Sequence, residues 1–436
     1  MIGFSRMLVR VLATGFSLAA PLALAAGLAL TAPLALAAQE PTLAEQGAPL
    51  RVFLDCQRCD FDHLRREVRF VDYVRQPADA QVHVLVTTQS TGAGGQEYTL
   101  YLIGQGDFAS RQDTLRFTTD RNDTQEEEWA AFTRNFALAL VPYAVRTSMA
   151  TGLSVGYQPP DEPRTPEPEE RDPWNLWVFR VGVGTSLEGE SRQSSASFNG
   201  SWSVSRTTEQ FKINLNASGR YETEYFELND GRKLTSISRN LESEGIAVWS
   251  LGAHWSAGIY GAASSSTRLN QDASAILAPA LEYNLYPYSE STRRQILFTY
   301  AIGGAHYNYH ERTLLGHTAE TLGVQQLEIS AGFQQPWGEI DAGLQALTYL
   351  NDFSKHRIDL EAGLEIRLFR GLELDLRGNV ARIKDQLYIS AEGLTDEEIL
   401  LELRELGTDF QYELDLGFSY SFGSRLNNVV NPRMRL

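Results

Sequence analysis

The greater part of the chain alternates between apolar and polar positions with a period of two. Between residues 195 and 205, and again between 211 and 221, apolar or small residues occupy every second position and polar residues fill most positions between. The pattern returns at 358–368 and at 410–422. Successive side chains of a β-strand point to opposite faces, so each segment predicts a strand with one apolar and one polar face.

Twelve strands of this kind are predicted, at 176–187, 194–206, 210–221, 237–250, 254–264, 274–286, 294–307, 325–336, 338–349, 356–368, 371–384 and 409–422. A soluble β-sandwich shows the same alternation, but its strands are usually nearer 5–6 residues, whereas a tilted membrane strand needs roughly 9–11. Tight turns alternate with longer polar loops here, as in outer-membrane barrels. The pattern therefore predicts an all-β transmembrane barrel of about 12 antiparallel strands over 174–423, with the short turns in the periplasm.

The first 38 residues have the composition of an export signal. Arg6 and Arg10 precede a Leu/Ala-rich run that ends in the small-x-small site Ala35-Leu36-Ala37. We predict a cleaved signal peptide at 1–38. A retained membrane helix is the alternative, but two prolines and a glycine interrupt the run.

Residues 50–150 predict a small periplasmic α/β domain. A strand at LRVFLDC is followed by a helix at DFDHLRREVR, by strands at AQVHVLVTT, EYTLYLIGQG and RQDTLRFTTD, and by a long helix that Thr124 caps. The long helix carries apolar residues at helical spacing, namely Trp129, Phe132, Phe136, Leu140 and Tyr143. In outline this order resembles the N-terminal domains of TolB-like and CsgG-like periplasmic proteins, which implies a fold and no functional residue.

Two flanking segments lack such patterns. Residues 158–173 contain six of the 16 prolines together with six acidic residues, so we expect 151–173 to be an extended linker between the two domains. Residues 424–436 follow the last strand as a C-terminal tail.

Overall composition excludes some functions. The chain has 55 acidic and 38 basic residues and a formal charge of −17, which disfavours nucleic acid as a partner. Past the first 38 residues no apolar run approaches the ~20 residues of a spanning helix, and no motif indicates a cofactor.

Cys56 and Cys59 are the only cysteines. In an exported protein this pair predicts a local disulfide. The alternatives are a redox-active site and a metal site that adds His63, but that set is one ligand short of a closed zinc site. His306 and His310 would lie roughly 13 Å apart on one strand, too far to share a metal.

The predicted polar faces of the last three strands are rich in charge. We expect a lumen charge cluster there, formed by Asp359, Glu361, Glu365, Arg367, Glu373, Asp375, Arg377, Glu413 and Asp415. Such a wall favours either a cation-preferring conduit or a salt-bridged plug that fills the lumen.

The end of the last predicted strand, LGFSYSF, resembles the C-terminal signal that outer-membrane barrels present to their assembly machinery. Gly417, Phe418, Tyr420 and Phe422 carry this resemblance, although a tail follows them. As a whole, 174–436 resembles the barrel families grouped with salt-induced outer-membrane proteins, which implies architecture and no chemistry.

Function is predicted only in general terms: an outer-membrane channel or small-solute transporter whose periplasmic domain gates the pore or binds a partner. The alternative is an envelope assembly or interaction protein that uses the barrel as an anchor. An outer-membrane hydrolase is disfavoured. Outer-membrane phospholipase uses a His-x-Ser-Asn-Gly sequence, and no histidine of this chain begins such a sequence. The paired acids and the Asp-His couple of omptin-like proteases are not evident either. The expected partners are outer-membrane lipid, the barrel assembly machinery and a periplasmic protein.

Overall fold

The structure, a computed structural model, describes residues 49–57, 59–154, 156, 172–227, 231–391, 407–424, 426, 428, 430 and 433. The predicted signal peptide and most of the predicted linker lie outside these residues. Residues from Pro49 onward belong to one compact unit. Among the residues described, no helix is both long enough and apolar enough to cross a membrane.

The N-terminal part is a five-stranded sheet with two α-helices. Its elements are β1 (Leu50–Asp55), α1 (Phe61–Glu67), β2 (Val71–Tyr73), β3 (Val82–Ser90), β4 (Gln96–Gly104), β5 (Gln112–Thr119) and α2 (Gln125–Ala144). Short 3-10 turns lie at Pro77–Asp79, Gly106–Phe108 and Ser148–Gly152. The strand order is β2-β1-β3-β4-β5; β1 is parallel to β2 and β3, and the remaining pairs are antiparallel.

The long helix α2 closes the core of this domain. Thr124 and Glu127 form a reciprocal capping box at its start, which satisfies two backbone N–H groups that the first turn leaves free. Phe132, Phe136 and Tyr143 are buried, as the helical spacing predicts, against β-branched and leucine side chains of the sheet. Strand β2 was not predicted, because three residues are too few to show a period.

The rest of the described chain forms twelve long strands. They are β6 (Trp177–Gly189), β7 (Gln193–Thr207), β8 (Phe211–Glu227), β9 (Lys233–Ser250), β10 (Trp255–Ser266), β11 (Gln271–Asn284), β12 (Arg294–Tyr309), β13 (Ala319–Gln335), β14 (Gly338–Tyr349), β15 (Asp352–Phe369), β16 (Leu372–Ile383) and β17 (Phe410–Tyr420). Each pairs antiparallel with the next in a single 12-stranded sheet. The predicted fold class is confirmed in its strand number, its antiparallel pairing and its preceding α/β domain.

Several strands are longer than predicted, mainly at the end that carries the long loops. β8 continues to Glu227, β9 begins at Lys233, β13 begins at Ala319 and β15 begins at Asp352. Alternation marks a strand only where one face is apolar, whereas backbone pairing continues into the polar residues beyond. We call the end of the sheet that carries the long loops the long-loop end, and the opposite end the short-turn end.

The two faces of the 12-stranded sheet have opposite character. One, the apolar face, exposes large side chains such as Val181 (84% exposed), Leu277 and Leu414. The other, the polar face, carries almost every buried side chain of these strands. These are Ser197, Ser236, Ser256, Tyr260, Ser266, Ser274, Ala278, Asn284, Ala301, Ala305, Tyr307, Val324, Gln326, Tyr349, Asp359, Ala381 and Ile383. The sheet therefore curls with its polar face inward.

The turns that the α/β domain contacts support this curvature. Gly92 lies against Thr207 at the end of β7, while Asp55 contacts Arg367 near the end of β15. Thr207 and Arg367 lie on strands that are eight strand spacings apart, which is roughly 38 Å in a flat sheet. Their partners Gly92 and Asp55 are within roughly 25 Å of each other along their own sheet, so the 12-stranded sheet has to be curved. β6 and β17 are the two edges, and among the described residues each has one neighbouring strand. The described strand pairings therefore do not include one between β6 and β17, which would close a barrel.

Candidate functional site

All nine residues of the predicted lumen charge cluster lie on the polar face, but they do not form one site. The register sets Gly363, Arg377 and Asp415 side by side across β15, β16 and β17. From Asp359 to Arg367 the set extends over nine residues of β15, and the eight steps between them span roughly 26 Å. The cluster is therefore a charged stripe along the wall.

The stripe contains both attraction and repulsion. The Arg377 guanidinium lies 3.2 Å from the Asp375 carboxylate, and Arg367 Nε lies 3.9 Å from Glu373 Oε1. Glu365 and Asp375 are direct cross-strand partners of like charge, an arrangement that disfavours the strand pair unless cations are near. Glu361 and Glu413 both flank Asn379, one from each side.

Asp359, at the long-loop side of the stripe, is the most buried of the nine at 3% exposed. Its carboxylate accepts a hydrogen bond of 2.9 Å from Arg357 Nε on the same strand. A buried carboxylate without such a partner would be strongly destabilising.

Sequence reasoning missed most of the acidic residues that share this face, because they are dispersed over six strands with only one or two on each. They are Glu188, Glu222, Glu224, Glu242, Glu244, Glu282, Glu320, Glu328, Glu339 and Asp341. Beyond the stripe, the same face carries the basic residues Arg180, Lys212, Arg220 and Arg357. Acidic residues thus outnumber basic ones over the whole face, which gives it a negative potential.

At the short-turn end the α/β domain contacts this wall. Asp55, the last residue of β1, forms a two-pronged ion pair with Arg367, and both N–O distances are 2.8 Å. The same carboxylate lies 3.1 Å from Nε2 of His83, which is fully buried. The Phe53 ring lies 5.0 Å from the His83 ring and 5.4 Å from the Arg367 guanidinium.

Opposing effects act on the Asp55 carboxyl. Burial raises its pKa, while the hydrogen bonds from His83 and Arg367 and the charge of Arg367 lower it. The net result is a pKa below the ordinary value. The ionised form, which is the one that binds Arg367, is therefore the favoured form in the docked domain.

Further contacts join the domain to the same group of turns. Gln57 Nε2 donates to Glu339 Oε2 at 2.6 Å, and Arg370 donates to the buried Asp79 at 2.7 Å. The backbone N–H of Gly371 donates to Gln76 Oε1 at 3.0 Å.

On the other side of the domain, Tyr101 contacts the turn between β11 and β12. Its hydroxyl lies 3.2 Å from Thr292 Oγ1, and the Arg293 guanidinium covers its ring at 4.9 Å. The β3–β4 turn approaches β6 so closely that a Cβ at Gly94 would overlap the guanidinium of Arg180. The domain therefore spans the short-turn end from β6 to β16.

The predicted C-terminal tail also contacts the domain. Leu426 forms an antiparallel bridge with Val74, next to the edge strand β2. Asn428 accepts a hydrogen bond from the Tyr73 N–H at 2.7 Å and donates one to Asp72 at 2.6 Å.

At the long-loop end, the segment after β16 covers the polar face. Leu387 is 5% exposed and packs in a cluster with Tyr307, Tyr309, Val324 and Tyr349. The hydroxyls of Tyr307 and Tyr349 are 3.2 Å apart.

Backbone contacts hold this segment to the neighbouring loop. Thr313 forms an antiparallel bridge with Ser390, and the Leu314 N–H donates to Ile389 O at 2.8 Å. Asn270 Nδ2 donates to Tyr388 O at 3.0 Å. The two ends of the polar face are thus covered in different ways, by a folded domain with ion pairs at one end and by an aromatic cluster at the other.

Other predicted site residues are placed as follows. Cys56 and Cys59 form a disulfide. His306 Nδ1 lies 2.7 Å from Thr321, whereas His310 Nδ1 lies 3.2 Å from Asp272, so the two histidines have separate partners. In the part of the chain that the structure describes, no three His, Cys, Asp or Glu residues are arranged to hold a metal ion.

The serine nearest to a phospholipase-like arrangement, Ser256, has no histidine partner among its described contacts. Its hydroxyl donates to Glu282 at 3.2 Å and lies 3.0 Å from the Tyr288 hydroxyl. His254 Nδ1 lies 2.8 Å from the carbonyl oxygen of Asn284.

Of the predicted assembly signal, Phe418 and Tyr420 lie on the apolar face of β17, and Gly417 lies on the polar face beside Asp375. Phe422 follows the strand, and its carbonyl oxygen accepts a hydrogen bond from Arg75. Recognition of this segment by assembly machinery stays a prediction.

No family model matches the chain, and no curated protein is similar to it. Among solved structures, the crystal structure of the β domain of the Bordetella autotransporter BrkA is similar to part of it, with 11% identity and a TM-score of 0.24. The match covers 56% of this chain and 98% of that domain. A similarity at this TM-score establishes neither fold nor function, so the fold rests on the strand pairings themselves.

Proposed function

We propose that the 12-stranded sheet crosses the outer membrane as a β-barrel. The apolar face is exposed over the middle of its strands, and water would make such a surface unstable. Its charged residues lie near the strand ends: Arg206 and Arg294 at the short-turn end, and Glu227, Lys233, Arg239 and Arg382 at the long-loop end. Hydrocarbon at the centre with headgroup phosphates at both edges fits this arrangement.

Aromatic rings on the apolar face support the same placement. At the short-turn end, Phe211 packs with Trp249 at 5.3 Å, and Trp255 packs with Tyr283 at 4.7 Å. Tyrosine and tryptophan prefer the membrane–water interface. Short turns of outer-membrane barrels are periplasmic, which would leave the α/β domain in the periplasm.

In the membrane, the free edges of β6 and β17 require partners, because hydrocarbon offers none to their backbone groups. We propose that the two strands pair with each other. The purified protein would then migrate faster on an SDS gel before heating than after it. Identical migration of both samples, together with solubility in the absence of detergent, would contradict the membrane proposal.

Within this barrel we propose a gated conduit that prefers cations or small cationic solutes. Its acidic polar face supports the ion preference. The gating proposal rests on the contacts of the α/β domain with the polar face, where Asp55 binds Arg367 and Gln57 binds Glu339. The covered ends imply that the resting state conducts weakly.

Planar-bilayer recording of the full mature chain tests the conduit. We expect rare openings in the wild type, a reversal potential that favours potassium over chloride, and more frequent openings in Arg367→Ala. Arg377→Ala removes a charge from the same wall without a contact to the α/β domain, so it should alter selectivity but not opening frequency. Silence of the wild type and both variants at every voltage would contradict the proposal.

A second candidate function is an interaction or assembly role. The observation that favours it is β5, an edge strand with β4 as its one neighbour among the described residues. An extended segment of a periplasmic partner could pair there. Charged substitutions along β5 would then abolish partner recovery by cross-linking while leaving conductance unchanged, whereas unaltered recovery would dismiss this role.

A further inference from the structure

The disulfide lies at the point where the α/β domain contacts the wall. Cys56 and Cys59 close a ring of four residues between β1 and α1. Asp55 immediately precedes the ring, and Gln57 lies within it. These two residues make the contacts with Arg367 and Glu339. The covalent bond therefore constrains the segment that holds the domain against the stripe.

Among the described residues, the backbone contacts that fix this segment lie at its two ends. Asp60 caps α1 by accepting a hydrogen bond from the His63 N–H, so the helix is ordered from there onward. Asp55 is fixed by β1 on the other side. Between them, the ring is what limits the backbone freedom of Gln57, because a short cross-link removes most of the conformations open to the enclosed residues.

The disulfide is also within reach of solvent. Both cysteines are only half-buried against the core of the domain. Cys59 lines a recess between α1 and α2 together with His63 and Trp129, whose rings are 5.7 Å apart. Partial exposure of both cysteines is what attack by an external thiol on the folded domain requires.

We propose that Cys56–Cys59 is a redox modification site whose substrate is a dithiol, such as a periplasmic thiol–disulfide oxidoreductase, and whose state sets how firmly the gate is held. One thiolate of the dithiol attacks a cysteine sulfur and forms a mixed disulfide. Its second thiol then displaces the cysteine, so that the dithiol becomes a disulfide and both cysteines become thiols, with two electrons and two protons transferred. The proposal rests on the gated conduit proposed above.

The consequence for the gate follows from the contacts. Reduction frees the backbone around Gln57 and loosens the anchor at Asp55, while the contacts of Asp79 and Gln76 with the β15–β16 turn lie outside the ring. Reduction should therefore weaken the docking without detaching the domain completely. The oxidised state holds the gate shut, and the reduced state lets it open more often.

The test uses the full chain in lipid nanodiscs, with and without dithiothreitol, and measures hydrogen exchange in the β15–β16 turn and in residues 53–57. We expect reduction to accelerate exchange there by roughly tenfold, the ratio that corresponds to about 1.4 kcal/mol. Alkylation and mass spectrometry establish that both thiols formed. Cys56→Ser/Cys59→Ser should show the faster exchange without reductant and should not respond to it. Asp55→Asn, in which the anchor is already lost, should respond only weakly.

Unchanged exchange after complete reduction would overturn the proposal, and so would a disulfide that the dithiol leaves intact in the folded protein. Reduction of the folded wild type keeps the test valid if the double variant does not fold. Bilayer recording is the separate arm. Faster exchange after reduction, with no current in either redox state, would support the redox site and contradict the conduit. A current that is equal in both redox states, with exchange that stays slow after reduction, would contradict the redox site alone.

Discussion

The α/β domain and the 12-stranded sheet use the same amino acids in opposite ways. In β3, alternate valines at 82, 84 and 86 are almost completely buried beneath α2. In β17, the alternate residues Leu414, Leu416 and Phe418 are mostly exposed, while carboxylates occupy the other face. One region buries its apolar side chains, whereas the other exposes them.

The difference shows that period-two alternation states only that a strand has two environments. Which of the two faces contacts water depends on the length of the strands and on what covers each face. A soluble domain must cover its apolar side with a helix such as α2. The sheet instead places its buried residues on the polar side, an arrangement that suits the proposed hydrocarbon surrounding.

The largest difference in stability between the two regions is expected when one phenylalanine ring is removed from each. Phe136 is fully buried in the α/β domain, so Phe136→Ala should destabilise that domain by about 3–5 kcal/mol. Phe418→Ala, the matched change on the apolar face of β17, should cost far less, because lipid fills the vacated space. Urea unfolding followed separately for each region measures both. Equal losses would show that the two regions bury phenylalanine alike.

A charge placed on the apolar face tests the surrounding directly. Leu360 lies at the middle of β15 beside Leu344, and Leu360→Arg should destabilise the folded barrel by about 2–4 kcal/mol, the range for the bilayer midplane. Gln345→Arg, at the same level but on the polar face opposite Asp359, is the control and should be nearly neutral. Refolding yields into lipid vesicles compare the two; equal yields would contradict a hydrocarbon environment.

Breaking the contact between the regions should have an intermediate effect. Asp55→Asn should weaken docking by about 1.5–3 kcal/mol, since hydrogen bonds to charged groups contribute that much. Because the docked state lowers the pKa of Asp55, the stabilisation is fully present above the ordinary aspartate pKa of ~3.9 and is lost as pH falls through the lowered value.

Hydrogen exchange in the β15–β16 turn, corrected for intrinsic rates, follows this contact as the pH is lowered. The Asp55→Asn variant should lose the part of the pH dependence that this carboxylate supplies. A variant that keeps the full acid response would show that other groups control docking.

The smallest expected effect concerns the long-loop end. Leu387→Ala removes buried carbon atoms from the tyrosine cluster and should weaken that cover by about 2 kcal/mol. Leu314→Ala, at a largely exposed position in the adjacent loop, is the control. Protease sensitivity of the loops in intact vesicles gives the readout, and equal sensitivity of the two variants would argue against a closed outer cover.

Local pattern was sufficient for the elements but not for their contacts. The alternation predicted all twelve long strands, and helical spacing predicted the buried side of α2. The pairing of Asp55 with Arg367 joins residues 312 positions apart, and nothing in either segment indicates the other. The cover formed by Leu387 was also missed, because an irregular loop has no period. Of the candidate site, the shared face of the nine predicted charged residues followed from the alternation, whereas their partners and the other acidic residues of that face did not.

The place of the C-terminal tail has a consequence for biogenesis. The β2 edge of the α/β domain is completed by Leu426 and Asn428, and Asn428 lies 355 positions after its partner Tyr73. A nascent chain that has not yet reached these residues leaves the β2 edge without this cover. The α/β domain therefore completes its sheet only after the twelve long strands have been synthesised.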